Sequence, residues 1–164
     1  MEGRVQVEKR EVKKVIEGRG AVSGKASGYA MVCPESITGW RGIDPKTGII
    51  NDFDNINKGN SIKDTILVIP GSKGSNGWSC YFSITRASGA GPCGMLVTKI
   101  DSSSAVAAVG MRVPVITDFT KDNDPCLYIK TGDYVEMDSE TGTVTIYTNF
   151  KERSTIYGNI DSKS

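Results

Sequence analysis

The sequence predicts a β-rich α/β domain with a small parallel segment at its centre, and three patterns predict it. Short β-branched runs punctuated by glycine open the chain, strand and helix patterns alternate through the middle, and an alternating hairpin closes it. At 164 residues the chain is one domain, long enough for a real core.

Residues 1–12 form a charged arm that reads either as a frayed terminus or as an edge strand. Val12–Glu17 and Lys25–Val32 have strand composition, with Gly18-Arg19-Gly20 as punctuation between them. Residues 39–48 read as a glycine-rich loop closing on an Asp-Pro turn. Residues 49–52 suit a brief strand, and 54–61 are polar and loop-like. The rhythm then becomes α/β: strand 65–69, a glycine-serine loop, helix 77–87, strand 94–99, helix 102–109 and strand 113–116. These apolar runs are short and continuous, as expected when both faces are covered, and their crossovers suit parallel pairing. Gly110 stands where it would end the second helix, and Pro114 would require an edge position in its strand. Residues 132–147 alternate as two strands around the turn 139–142, and a polar tail, 151–164, follows.

Composition excludes several function classes. A net charge of +1 gives no general basic field for nucleic acid or lipid headgroups, and no apolar run approaches bilayer-spanning length. The charged N-terminal residues lack the apolar segment of a secretion signal, so the expected location is cytoplasmic. Histidine is absent, which removes Ser-His-Asp and Cys-His catalysis, imidazole metal ligation and phosphohistidine carriage. The four cysteines, Cys33, Cys80, Cys93 and Cys126, are scattered without a Cys-x-x-Cys pair and read as reduced structural residues rather than metal ligands.

The richest segment chemically is Pro70-Gly71-Ser72-Lys73-Gly74-Ser75-Asn76-Gly77, which follows the apolar run Ile66-Leu67-Val68-Ile69 and precedes a helix pattern. Strand, small-residue loop and helix together build anion sites. Glycines let backbone approach a ligand, and free N–H groups at a helix start point at negative charge. The spacing matches neither a P-loop, nor Gly-x-Gly-x-x-Gly, nor a Gly-x-Ser-x-Gly elbow. Without histidine, a serine can still accept a proton if backbone dipoles and a cation stabilise its alkoxide. Ser75, between Gly74 and Gly77, is best placed for this; Ser72 and Ser79 are the competing hydroxyls.

Residues Gly39-Trp40-Arg41-Gly42-Ile43-Asp44-Pro45-Lys46-Thr47-Gly48-Ile49-Ile50, followed by Val68-Ile69-Pro70 and Lys73-Gly74-Ser75, resemble the aconitase X family, in particular its small-subunit swivel domain. The pattern continues through Gly91-Pro92-Cys93-Gly94 and Val113-Pro114-Val115-Ile116. The resemblance implies a swivelling β/β/α domain over residues 13–150 that closes on an active site built mainly by a larger subunit. It implies a hydro-lyase (dehydratase) of two subunits, a heterodimer, in which Ser75 accepts a proton. Ser72, Lys73, Gly74, Asn76, Gly77 and Asp44 are then the substrate-binding candidates. No cofactor is expected on this chain; iron or an iron–sulfur cluster belongs to the large subunit. The substrate implied is a small hydroxy acid, cis-3-hydroxy-L-proline or mevalonate 5-phosphate.

Two departures from the family pattern bear on substrate placement. Members often carry His-Pro where this chain has Asp52-Phe53-Asp54-Asn55-Ile56, and usually arginine where Lys73 stands. Lysine neutralises an anion without arginine's bidentate fork. Asp44 either orients its turn or touches the site, Arg41 is a candidate oxyanion contact, and Trp40 and Trp78 suit either an interface or the core. The alternative function is a non-catalytic binding or regulatory swivel module of a larger complex.

Overall fold

The computed structural model describes residues 10–73 and 78–147, apart from the side chain of Trp40. The charged arm up to residue 9 and the tail 151–164 lie outside the described residues.

Eight strands form one continuous sheet: β1 (Val12–Glu17), β2 (Arg19–Val22), β3 (Lys25–Val32), β4 (Ile66–Ile69), β5 (Gly94–Val97), β6 (Val115–Thr117), β7 (Tyr134–Asp138) and β8 (Thr143–Tyr147). Their spatial order is β1-β8-β7-β3-β4-β5-β6-β2. β3 joins two regimes. Lys25 to Tyr29 pair antiparallel with β7, whereas Ala30 to Val32 pair parallel with β4. From there β4, β5 and β6 continue in parallel. The helices are α1 (Gly39–Gly42), α2 (Trp78–Ser88), α3 (Ser102–Met111) and α4 (Pro125–Tyr128).

The two-residue period of the parallel strands sorts the core into two layers. Leu67 and Ile69 of β4, Met95 and Val97 of β5 and Val115 of β6 pack with Trp78 and Phe82 of α2 and with Ala107, Ala108 and Met111 of α3. The intervening residues Ile66, Val68, Leu96 and Ile116 face the other way, onto Ile16, Val135, Met137, Val144 and Ile146 of the antiparallel layer. All four residues of β4 are buried for this reason. The architecture is therefore antiparallel sheet, parallel sheet, helices: the β/β/α arrangement the family resemblance implied. The antiparallel layer is single-sided, so Tyr134, Glu136 and Asp138 point outward between buried Val135 and Met137.

Five readings change. The expected glycine-rich loop 39–48 opens with the short helix α1, Gly39–Gly42. Gly18-Arg19-Gly20 is not simple punctuation, because β2 begins at Arg19 and pairs antiparallel with β6, carrying the chain from one layer to the other. Gly20 is needed there, since a Cβ would lie 1.9 Å from the Ser139 carbonyl oxygen. Residues 49–52 form no strand, only isolated bridges, Ile43 with Ile50 and Ile49 with Ser61. Gly110 lies inside α3, where a Cβ would sit 2.5 Å from the Ser83 hydroxyl of α2; the helix is closed by Arg112 in the left-handed region at φ 56°. Pro114 precedes β6 rather than occupying it, so the strand can be flanked by β5 and β2 on its two sides. The closing hairpin forms as expected, Tyr134 opposite Tyr147, its turn ended by Gly142 at φ 74°.

Candidate functional site

β3, β4 and β5 are parallel, so the loops after them open at one end of the sheet. Ligand crevices of α/β sheets form outside the carboxyl ends of such strands. The glycine-serine loop leaves the end of β4, and three neighbours hold its described part. The Ser36 hydroxyl donates to the Gly71 carbonyl. Thr38 pairs with Lys73 in a short parallel bridge. Asp101 accepts the Ser72 N–H and the Ser72 hydroxyl, each at 2.9 Å.

Asp101 divides its two oxygens between two tasks. Oδ1 accepts the Ser104 N–H at 2.8 Å, closing a capping box at the start of α3. Oδ2 holds Ser72. Partial burial acts to raise its pKa, but hydrogen bonds from Ser104 and Ser72 outweigh that effect and hold the carboxyl below its ordinary value. Gly71 fits because a Cβ there would lie 3.0 Å from Asp101 Oδ2.

The other flank of the loop is anchored through Trp78. Its indole is fully buried, stacks on Phe82 with ring centroids 4.3 Å apart, and donates Nε1–H to the Ile37 carbonyl at 2.7 Å. Gly39 lies against it so closely that a Cβ would be 2.3 Å from the Trp78 Cα. The stretch 36–39 therefore braces the chain on both sides of residues 74–77. It is itself tied down by Asp52, whose Oδ2 accepts the Thr38 N–H at 2.7 Å. Two residues of this bracing segment are left-handed without being glycine, Ser36 at φ 62° and Arg41 at φ 66°. Such backbone persists only where its surroundings fix it.

Of the residues singled out from sequence, Ser72 and Lys73 lie together at the end of β4, both half-buried. Gly74, Ser75, Asn76 and Gly77 lie outside the described residues. Asp44 makes its own turn. Its Oδ1 accepts the Lys46 N–H at 2.9 Å, which lowers its pKa despite a small opposing desolvation, and its carbonyl accepts the Gly48 N–H. The contacts joining its segment to the glycine-serine loop come from Ser36, Ile37, Thr38 and Gly39 instead. Trp78 is core, and Arg41 is exposed. Sequence reasoning missed Ser36, Thr38, Asp52 and Asp101. Only Asp101 had a local signal, standing directly before Ser102-Ser103-Ser104 as a helix cap would.

The cysteines are free thiols. Burial raises Cys33, with Asn57 and Asn55 hydrogen bonds opposing, and pushes Cys126 up to about 11. Both are protonated at neutral pH and suit packing better than nucleophilic or ligand duty. Cys80 differs in being exposed on α2. Among the described residues no group of three Cys, Asp or Glu is placed to hold a metal ion, and the chain has no histidine. A cavity of about 480 Å³ under Lys25, Ser27, Glu136, Thr143 and Thr145 lies on the outer antiparallel layer, with no lining residue from the loop.

A three-layer β/β/α domain with a glycine-serine loop leaving the end of a central parallel strand has the architecture of a swivel-type domain. The aconitase X swivel domain model matches residues 15–146, and the chain belongs to that family. It is 33% identical over 133 residues to the phosphomevalonate dehydratase small subunit of Pyrococcus furiosus, covering 80% of this chain and 94% of that one. The corresponding small subunit of Archaeoglobus fulgidus is 34% identical over 128 residues, covering 78% and 95%. Among solved structures, the aconitase X of Thermococcus kodakaraensis in its holo-form superposes with a TM-score of 0.73 at 29% identity, covering 81% of this chain and 98% of that one. The chain is a dehydratase subunit of this type.

Proposed function

We propose that this chain is the small subunit of a phosphomevalonate dehydratase, and that Ser75 accepts the substrate proton at a site completed by an aconitase X large subunit. The observation that supports it most is the double anchoring of the glycine-serine loop, at Ser72 by Asp101 and at Trp78 by Ile37, on either side of Ser75. Loops built to bind need a rigid frame, because a base misplaced by an ångström loses much of its effect.

In the reaction, Ser75 as the alkoxide takes a proton from the carbon beside the substrate carboxylate. The C–H electron pair becomes the C=C bond, hydroxide leaves the adjacent carbon, and the net product besides the alkene is water. Lys73 and the loop N–H groups stabilise the alkoxide and the substrate's negative charge. The Lewis acid for the leaving hydroxide, iron or an iron–sulfur cluster, belongs to the large subunit, and this chain's share is the base and the anion contacts. Mevalonate 5-phosphate is the preferred substrate over cis-3-hydroxy-L-proline, because the curated relatives are phosphomevalonate dehydratase small subunits and a lysine-bearing glycine loop suits a phosphate. Four free thiols suit a cytoplasmic, reducing setting.

The test is turnover by the reconstituted two-subunit enzyme with each substrate, followed by proton NMR of the alkene product. Dehydration of mevalonate 5-phosphate with kcat/KM at least about 100-fold above that for cis-3-hydroxy-L-proline is expected. Turnover of the proline derivative alone would overturn the substrate assignment.

A further inference from the structure

The stretch 53–57 of the loop 51–61 is partly inverted. Two of its polar side chains, Asn55 and Asn57, are buried, while Phe53 and Ile56 are 85% and 83% exposed. The asparagines fix it rigidly beyond the end of β3: Asn55 donates to the Ser36 carbonyl at 3.1 Å and Asn57 to the Val32 carbonyl at 2.7 Å. Buried polar groups and protruding apolar ones reverse the usual pattern of a surface loop. Rigid display of this kind lowers the ordering cost of association.

A third apolar side chain extends the feature. Leu127 of α4 is 72% exposed, and α4 is held over the end of β5 by the Thr98 hydroxyl, which donates to its cap Asp124 at 3.0 Å. Phe53, Ile56 and Leu127 are the most exposed large hydrophobic residues among those described, and all three stand at the strand end that carries the glycine-serine loop. Between Ile56, Asp54, Asn55, Cys33, Pro34 and Glu35 is a cavity of about 190 Å³, smaller than a metabolite site and suited to one side chain of a protein. Protruding apolar side chains beside a small cavity are what protein–protein anchor sites look like.

We infer that this rim is the docking surface for the large subunit, with Phe53 and Ile56 as its anchors. The occupant follows from position. The inference rests on the reading that a second chain completes the site at the glycine-serine loop, and that chain must cover the same strand end. The 51–61 loop reaches it through Ser36, which bonds both Asn55 and Gly71.

The experiment measures affinity of this chain for its large subunit by isothermal titration, comparing wild type, the double variant Phe53→Asp/Ile56→Asp, and Val106→Asp/Val109→Asp on the outer face of α3. Both replaced pairs are exposed, so circular dichroism melts should match wild type. The rim variant should bind about 30-fold more weakly or worse, while the α3 variant binds as wild type. Equal affinity of the rim variant and wild type overturns the inference. So does a self-dimer of this chain, seen by sedimentation, that the rim variant abolishes without affecting large-subunit binding. A complex that loses affinity through the rim yet turns over fully with Ser75→Ala would instead refute the catalytic reading and leave the docking surface standing.

Discussion

Asp101 shows how much of the site depends on one carboxylate with two different acceptor roles. Oδ1 caps α3, and Oδ2 holds Ser72. Asn can replace the first role but not the second, because its amide nitrogen is a donor facing the Ser72 N–H. Asp101→Asn should therefore keep the α3 cap but lose the Ser72 bonds and the charge-dependent share of stability at pH 7, and it should lower turnover of the two-subunit enzyme. Asp101→Ala should lose about 1 kcal/mol as well, the usual cost of an N-cap, read from urea midpoints. The pH dependence follows from the lowered carboxyl. A depressed pKa contributes stability above the unfolded value of about 3.9, and that contribution is lost as pH falls through the folded pKa. Acid titration of stability should flatten in Asp101→Asn over that window, and an unchanged profile would remove Asp101 from the account.

At the scale of elements, the fit between the 36–39 segment and α2 is the mechanical centre of the site. Gly39 has no space for a Cβ beside the Trp78 backbone, so Gly39→Ala must push the segment and the helix start apart. Overpacking of this kind costs about 1–3 kcal/mol, and a lowered melting temperature with reduced turnover at saturating substrate is expected. Strands β4, β5, β7 and β8 were legible in the sequence because each satisfies one clear period: continuous apolar runs for strands covered on both faces, alternation for the single-sided hairpin. β2 was not legible, since Arg19-Gly20-Ala21-Val22 carries no strand pattern and is held by its pairing with β6. Gly110 misled for a related reason: its glycine serves a close crossing of α2 and α3, and a helix end reads the same way in one dimension.

For the whole molecule, zero histidine and scattered cysteines led the sequence reading to expect a site shared with a second chain, with the glycine-serine loop offering this chain's chemistry. The braces around that loop, Ser36, Thr38 and Asp101, were hidden because they lie 35, 35 and 29 residues away from Gly71, Lys73 and Ser72 respectively and meet only when β3, β4 and β5 align in parallel. The docking rim was hidden for the opposite reason: 51–61 looks like an ordinary polar loop until Asn55 and Asn57 are seen to be buried and Phe53 and Ile56 exposed. The central claim is that this domain contributes the proton-accepting half of a dehydratase site. Its most direct test is kcat of the reconstituted complex carrying Ser75→Ala, with assembly checked by sedimentation. A fall of about 10²–10⁴-fold with the complex intact is predicted, as for loss of a general base; wild-type turnover by an intact Ser75→Ala complex would contradict the account.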